Sequence, residues 1–345
     1  MVPDRVVIFD DSPPWRESRL VKPSPTRPPT PTPMDEPDAV SDLDAPTDVP
    51  GWTGSPLVAL ESTLIAQGLP WPDNLATALE AQCAVAESGA EGRTLAILEG
   101  KLRLGLSVEE LEGMARMGSS RFRKAARRDL AAALALGWDA ATTVSATLFL
   151  ARRAGIRVMA TGGLGGVHRG WTERPDLSGD LLELADAHGC VVVCSGFKSI
   201  LDLPATLEAL ETLGVALVGY RTDDLPAFTE RSSGLPVPAR VETPDQIAKI
   251  VRAHRTLGLP GAIVVVQPVD QAVALEDRLA REALDEALID AERQGVHGAA
   301  LTPFLLGRLR DRTGGASLIA NRRLIVDNAR LAGAIAVALA GTGTD

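Results

Sequence analysis

The chain has 345 residues, a hydrophobic content of 45% and a formal net charge of −10 at pH 7. The length allows one large or two ordinary domains, and the hydrophobic content is normal for a globular core. The negative charge argues against a general nucleic-acid or membrane-surface binder, because anionic phosphates would repel it. No signal peptide and no apolar run near the ~20 residues of a spanning helix are evident. Three cysteines, Cys83, Cys190 and Cys194, predict no disulfide framework, so we expect a reducing, cytoplasmic setting.

The first 54 residues differ in composition from the rest of the chain. Residues 23–33 read PSPTRPPTPTP, and an acidic run follows through Asp48. This composition cannot bury a core and predicts a disordered tail over 1–54. Strand and helix patterns alternate over 55–345 without a linker. They predict a single layered α/β/α domain around a central, largely parallel or mixed sheet.

Short apolar runs rich in β-branched or small residues predict the strands. These are 58–60, a hairpin of 94–98 and 102–106, 156–159, 190–194, 215–219 and 262–267. Helical patterns cover 74–87, 108–117, 128–136, 142–153, 204–213, 243–257, 271–294, 302–313 and 317–340. Asn74 is expected to cap the first of these helices, and Thr243, followed by Pro244, to open the helix at 243.

The runs 156–159 and 190–194 lie close together in the chain, and each leads into a polar, glycine-rich loop. In open α/β sheets, ligands bind where the carboxyl ends of strands release their loops. The first loop carries Gly162, Gly163, Gly165 and Gly166. It lacks both the lysine of a P-loop and the glycine spacing of a dinucleotide fingerprint. It is either a tight turn or a place where backbone amides approach a phosphate or a sugar.

Lys198 and Glu61 are the candidate reactive groups. Only five of the 35 basic residues are lysine, and Lys198 closely follows a buried strand. A free lysine has a pKa of ~10.4, and burial or a neighbouring cation lowers it toward a neutral amine that can form a Schiff base with a sugar aldehyde. The alternative is an ordinary surface lysine. Glu61 follows the strand 58–60 and is a candidate general acid.

Asp176, Ser178 and Asp180 alternate just before an apolar helix. A helix start with Ser178 as the cap accounts for Ser178 and Asp180, but not for Asp176, which is a candidate water-mediated ligand of Mg²⁺ or Mn²⁺. His168 is either a substrate contact or an ordinary histidine. The basic residues around Lys124 suggest phosphate recognition, with a solvated helix start as the alternative.

Several motifs occur in a characteristic order: ALEST at 59–63, GLPWP at 68–72, RRDL at 127–130, TTVSAT at 142–147, GIRVMATGGLGGVHR at 155–169, DLSGD at 176–180, KSILD at 198–202 and TPFLL at 302–306. Together they resemble the pseudouridine-5'-phosphate glycosidase family, also called the indigoidine synthase A-like family. The chain departs from the family at Gln67, Gly179 and Phe197, where histidine, alanine and a small residue are common.

The resemblance implies reversible cleavage of pseudouridine 5'-phosphate to uracil and ribose 5-phosphate by a homotrimer. It implies that Lys198 bonds the sugar C1', that Glu61 donates and accepts the proton, and that Asp176 holds one Mn²⁺ per subunit, largely through water. The implied substrate contacts are Lys124, Val144, His168, Ser178, Gly179, Asp180 and Asn321. Two alternatives stay open: another Schiff-base lyase acting on a sugar phosphate, and a non-catalytic sugar-phosphate binding protein.

Overall fold

A computed structural model of the chain describes residues 56–296 and 298–341. The predicted tail, 1–54, lies outside these residues. The described strands are β1 (Leu57–Leu60), β2 (Glu91–Leu98), β3 (Lys101–Leu104), β4 (Arg123–Ala125), β5 (Ala140–Thr142), β6 (Val158–Ala160), β7 (Val191–Cys194), β8 (Ala216–Tyr220), β9 (Arg240–Val241) and β10 (Ile263–Val266). The helices are α1 (Asp73–Glu87), α2 (Val108–Met117), α3 (Leu130–Ala135), α4 (Val144–Arg153), α5 (Gly179–Ala185), α6 (Leu203–Thr212), α7 (Pro244–Thr256), α8 (Asp277–Arg293), α9 (Leu301–Arg312) and α10 (Ala316–Ala340).

The strands form one mixed sheet in the order β4-β5-β2-β1-β6-β7-β10-β8-β9, and β3 also pairs with β2. Strand β2 runs antiparallel to β3 and β5, whereas the other neighbours are parallel. Strands β1, β6 and β7 are therefore parallel neighbours near the middle of the sheet. Their carboxyl ends open at one edge, as the sequence predicts.

The central strands are buried on both faces. Val192 and Val264 belong to a hydrophobic cluster that includes residues of α4, α5 and α6. Val193 and Val265 belong to a second cluster that includes residues of α1, α7 and α10. Successive strand residues point to opposite faces, and burial of each valine contributes about 1.5–3 kcal/mol. The predicted α/β/α layering is confirmed.

Three short strands were not predicted. Strands β4, β5 and β9 have only two or three residues each, too few for a recognisable pattern. The helix predicted to begin at residue 142 begins at Val144, because Thr142 ends β5. The helix predicted from 271 begins at Asp277.

The predicted helix caps had different outcomes. Thr243 opens α7 as expected. Its hydroxyl accepts from the Gln246 backbone amide, and the Gln246 side-chain oxygen accepts from the Thr243 backbone amide. The prediction for Asn74 is wrong, because Pro72 precedes α1. The Asn74 amide nitrogen instead donates to the carbonyls of Ile65, at 2.8 Å, and Ala115, at 2.9 Å. Asn74 thereby joins the π-helix Leu64–Gly68, which follows the ALEST motif, to α2.

The cysteines are core residues or free surface thiols. Cys190 and Cys194 are buried, and Cys83 is exposed and unpaired. Burial raises the pKa of the Cys190 thiol, and it raises that of Cys194 to about 12. Both buried thiols therefore stay protonated and unreactive near neutral pH. No helix within 56–296 and 298–341 has the length and hydropathy to cross a bilayer.

Acid is expected to destabilise the fold through His254. This α7 residue is 5% exposed, neither ring nitrogen has a hydrogen-bond partner among the described residues, and burial lowers its pKa. As pH falls below ~6.5 the unfolded chain takes up a proton that the folded state resists, so stability is lost until the pH passes the folded pKa. The variant His254→Leu should lose less stability than the parent between pH 7 and pH 5. Urea unfolding measures this, and each unit of pKa difference corresponds to about 1.4 kcal/mol.

His188→Asn is the matched control for the His254 experiment. His188 is 57% exposed and has an ion pair with Asp186 at 3.3 Å. Its replacement should leave most of the parent's pH dependence intact. Equal acid sensitivity of the parent and His254→Leu would contradict the assignment.

Candidate active site

The polar candidates meet where β1, β6 and β7 end. Glu61 follows β1, the glycine-rich turn follows β6, and Lys198 follows β7. The Lys198 amide donates to the Leu164 carbonyl at 3.2 Å, and the Leu164 amide donates to the Gly196 carbonyl at 3.0 Å. These bonds hold the loop after β7 against the turn after β6. The structure thus brings the loop that carries Lys198 and the glycine-rich turn together at this sheet edge.

Glu61 is a nearly buried carboxylate held at both oxygens. It is 9% exposed, with the Thr63 hydroxyl on Oε2 and the Thr161 hydroxyl on Oε1. Thr63 follows β1 and Thr161 follows β6, so two neighbouring strands fix the carboxylate. Sequence analysis did not single out Thr161 as a partner of Glu61, although its position directly before the glycine turn was a usable signal.

Two lysines share the site. Lys124, in β4, is exposed, yet protein atoms around its ammonium displace water and lower its pKa. The charge of Lys198 lowers it further, while Asp180 and Glu61 oppose the shift. Lys198 itself is half-buried. Strand β4 therefore brings a second amine into the electrostatic neighbourhood of Lys198 and Glu61.

His168 and Asp176 lie beside these lysines. The His168 backbone amide donates to the Asp176 backbone carbonyl at 3.0 Å, and Val167 forms an antiparallel β-bridge with Leu177. Burial lowers the pKa of His168, the Asp176 carboxylate opposes this shift, and Lys198 and Lys124 add to it. His168 is therefore a neutral imidazole at pH 7, able to donate from one ring nitrogen and accept at the other.

Asp176 fits a hydrated metal ion better than an enclosed one. No group of three or more His, Cys, Asp or Glu side chains that could hold a metal lies within 56–296 and 298–341. Asp176 is half-buried, and its carboxylate has no hydrogen bond or ion pair to the part of the chain that the structure describes. One free carboxylate open to water suits Mg²⁺ or Mn²⁺, which prefer oxygen ligands and keep much of their water.

The other basic residues around Lys124 have partners outside this group. Arg121 pairs with Asp139 at 2.8 Å, Arg123 stacks on the Trp138 ring, and Arg127 pairs with Glu183 at 2.7 Å. Lys124 is thus the member of this basic segment that faces the candidate site. The alternative of a solvated helix start is wrong at Lys124 itself, since the residue lies in a strand.

Comparison with known proteins identifies the family of the chain. The sequence model of the family described as "Indigoidine synthase A like protein" matches residues 51–338. The chain belongs to the indigoidine synthase A-like family. Two relatives named pseudouridine-5'-phosphate glycosidase are similar to it over most of its length. The protein from Caldanaerobacter subterraneus is 49% identical over 82% of this chain and 92% of its own, and that from Streptomyces griseus is 52% identical over 84% and 88%.

Two solved structures of similar sequence share the fold. An indigoidine synthase A-like protein from Thermotoga maritima has a TM-score of 0.77 and 41% identity, covering 83% of this chain and 94% of its own. The prealnumycin C-glycosynthase AlnA, in complex with ribulose 5-phosphate, has a TM-score of 0.76 and 38% identity, covering 83% and 92%. The resemblance read from the sequence motifs is confirmed at the level of the family.

The DLSGD segment at 176–180 leads into α5, with Ser178 as the helix cap, as expected from a helix start. The Ser178 hydroxyl caps α5 by accepting from the Asp180 amide at 3.2 Å. Asp180 is 7% exposed, and its two oxygens accept from the amides of Ser145 and Gly165, each at 3.0 Å. Asp180 thus ties the glycine turn to the start of α4. Gly179 between them is exposed.

The glycines of this turn are required by close side-chain packing. A Cβ on Gly165 would lie 2.9 Å from Asp180 Oδ2 and closer still to the Ser178 hydroxyl, and one on Gly163 would lie 2.6 Å from the Phe228 ring. The Gly165 amide is already bonded to Asp180. The turn therefore serves as a packing site for Ser178, Asp180 and Phe228, as the tight-turn interpretation predicts.

Val144 and Asn321 reach the site from two helices. Val144 is the first residue of α4, where backbone amides lack partners within the helix. Asn321, in α10, lines a neighbouring pocket of about 250 Å³ together with Gln67 and Phe228. The side-chain oxygens of Asn321 and Gln67 are buried without a hydrogen-bond partner among the described residues. This pocket borders the glycine turn, because a Cβ on Gly162 would lie 3.4 Å from Asn321 Oδ1.

Proposed function

We propose that this protein reversibly cleaves the C-glycosidic bond of pseudouridine 5'-phosphate, giving uracil and ribose 5-phosphate through a Schiff base on Lys198. The observation that carries the proposal is an amine, Lys198, and a held carboxylate, Glu61, which follow β7 and β1, the two strands on either side of β6, and whose charges both act on Lys124. The names of relatives about 50% identical support the substrate, and the AlnA complex with a pentose phosphate supports the ligand class.

The broken bond joins two carbons, so the leaving group is poor without an electron sink. In the proposed sequence Glu61 donates a proton to the ribose ring oxygen as the C1'–O4' bond breaks. The Lys198 amine bonds C1', and the proton that its nitrogen loses passes to the Glu61 carboxylate. The C1'–C5 electron pair then passes to uracil, whose C5 takes that proton from Glu61, while the nitrogen lone pair forms the C1'=N imine. Water hydrolyses the imine, releases ribose 5-phosphate and returns the amine.

The other predicted contacts supply binding. Lys124 and the backbone amide of Val144, the first residue of α4, suit the 5'-phosphate. The unpaired oxygens of Asn321 and Gln67 suit the N–H groups of uracil. His168, neutral at pH 7, suits a sugar hydroxyl. Asp180 acts by holding the backbone amides of Gly165 and Ser145 in place. Ser178 and Gly179 form the adjacent wall of the site.

The proposed cofactor is one Mn²⁺ per subunit. Asp176 would hold it, with water completing the coordination. A bound Mn²⁺ would supply positive charge for binding an oxygen-rich sugar phosphate. The half-buried position of Asp176, which leaves its carboxylate open to water, supports this role.

We propose further that the protein is cytoplasmic and homotrimeric. The free and buried cysteines fit a reducing compartment, and the family resemblance is the basis for the trimer. A second candidate function is C-glycoside chemistry on a pentose phosphate with an aglycone other than uracil. The 38% identity to AlnA favours this alternative specifically.

The deciding experiment incubates the protein with pseudouridine 5'-phosphate and Mn²⁺ and follows the release of free uracil. We expect uracil and ribose 5-phosphate in equal amounts. Asp176→Asn should lower activity about 10- to 100-fold and flatten its dependence on added Mn²⁺. Asp129→Asn, in which a carboxylate outside the cluster is removed, is the control. Full parental activity in excess chelator would contradict the metal, and absence of uracil release would contradict the substrate.

A further inference from the structure

The inner face of α5 carries a second carboxylate that the proposed chemistry does not use. Glu183 follows Asp180 by three residues, so both lie on the same face of the helix. Its side chain is fully buried. A buried carboxylate is costly unless it is paired, so its partners indicate what it does.

Two arginines surround Glu183. Arg127 Nη1 donates to Glu183 Oε2 at 2.7 Å, and Arg152 Nη2 lies 3.6 Å from Oε1. Burial raises the pKa of Glu183, and both arginines oppose that shift. Arg152, which is 14% exposed, also holds Asp186 at 3.0 Å. The Glu183 carboxylate therefore joins α5 to α4, through Arg152, and to the segment after β4, through Arg127.

Arg127 leads from this ion pair back to the candidate site. It lies three residues after Lys124, and its backbone amide donates to the Ser145 hydroxyl at 3.4 Å. The Ser145 amide in turn donates to Asp180 at 3.0 Å. These contacts form a closed network. Glu183 bonds to Arg127, Arg127 to Ser145 and Ser145 to Asp180, and α5 connects Asp180 to Glu183. Asp180 extends the network to the Gly165 amide.

We propose that Glu183 is a positioning residue: by holding Arg127 and Arg152 it fixes α5 so that Asp180 keeps the glycine turn and the start of α4 in place. The ion pair also fixes the segment that carries Lys124. Glu183 is not one of the predicted substrate contacts, and in this proposal it acts through the two arginines. Its effect on turnover rests on the proposed function, whereas its effect on the backbone does not.

The test compares hydrogen–deuterium exchange of the parent and Glu183→Gln by mass spectrometry. Glutamine keeps the shape but removes the charge that holds the arginines. Peptides covering residues 143–147 and 162–167 should exchange about tenfold faster, the order expected for one lost charge-assisted hydrogen bond. Peptides covering 191–194 and 263–266 should keep the parental rate. Loss of uracil release of about tenfold should accompany the change, with an increase in the KM for the phosphorylated substrate.

Two further variants separate positioning from general stability. Asp186→Asn removes a carboxylate that contacts the same arginines but is 45% exposed, and it should change both exchange rates less than about twofold. Adding Arg127→Met to Glu183→Gln should change the exchange rates little further, because both substitutions break the same network of contacts. Uniformly faster exchange, core strands included, or additive effects in the double variant would overturn the proposal. If exchange changes as expected but no uracil is released by the parent, the positioning role stands and the proposed substrate fails.

Discussion

Lys198→Arg is expected to abolish turnover, lowering kcat by about 1000-fold or more. Arginine keeps the positive charge, but it does not lose its proton near neutral pH and cannot form the imine. Sodium borohydride with ribose 5-phosphate should therefore add the mass of a reduced sugar to the parent and not to this variant. Peptide mapping should locate the adduct on Lys198.

Lys124 makes this experiment discriminating. The two amines lie within electrostatic reach, and loss of water and the charge of Lys198 lower the pKa of Lys124. Lys124 is therefore a competing candidate for the nucleophile. Position favours Lys198, because it lies in the loop after β7 and its backbone amide bonds to Leu164, in the turn that follows Thr161, the partner of Glu61. Lys124 lies in β4 at the end of the sheet order.

Lys124→Arg is the matched control. It keeps the charge that the 5'-phosphate needs, so we expect the trapped adduct to remain on Lys198 and the KM to rise by about tenfold or less. An adduct on Lys124 in the parent, or an undiminished adduct in Lys198→Arg, would show that the imine forms on a residue other than Lys198. The reductive trap requires only ribose 5-phosphate, so it is independent of which aglycone the protein uses.

The parts of the site that follow strands could be predicted from the sequence. Carboxyl ends of neighbouring parallel strands meet at one edge, so a short apolar run followed by Glu61, by glycines or by Lys198 already indicates a shared location. The alternation of strands and helices likewise predicted the layered fold. Both inferences depend on local patterns and on one general property of parallel sheets.

The remaining parts depend on contacts between distant segments. Strand β4, which carries Lys124, is three residues long and exists because it pairs with β5. The hydroxyl of Thr161 is 100 residues from Glu61 in the chain, and Asn321 reaches the neighbouring pocket from the last helix. Phe228, packed on Gly163 with a left-handed backbone at φ 63°, had no sequence signal. No local pattern encodes these partners, because tertiary packing selects them.

The second large effect is expected at Glu61, where Glu61→Gln should lower kcat about 100- to 10,000-fold, the range that a positioned general acid contributes. Glutamine has nearly the same shape and can still bond to the Thr63 and Thr161 hydroxyls, so the site should stay intact. What the variant loses is a transferable proton for the ribose ring oxygen. The KM should therefore change only a few-fold while kcat falls.

Thr63→Val and Thr161→Val are the controls for Glu61, since each removes one hydroxyl and keeps the carboxylate. Each should reduce kcat by about tenfold, because the hydroxyl orients the acid but carries no proton through the reaction. Borohydride trapping with ribose 5-phosphate should still label Lys198 in Glu61→Gln, since free ribose 5-phosphate opens its own ring. A Glu61→Gln protein that released uracil within tenfold of the parental rate would mean that another group, for which His168 is the first candidate, protonates the ring oxygen.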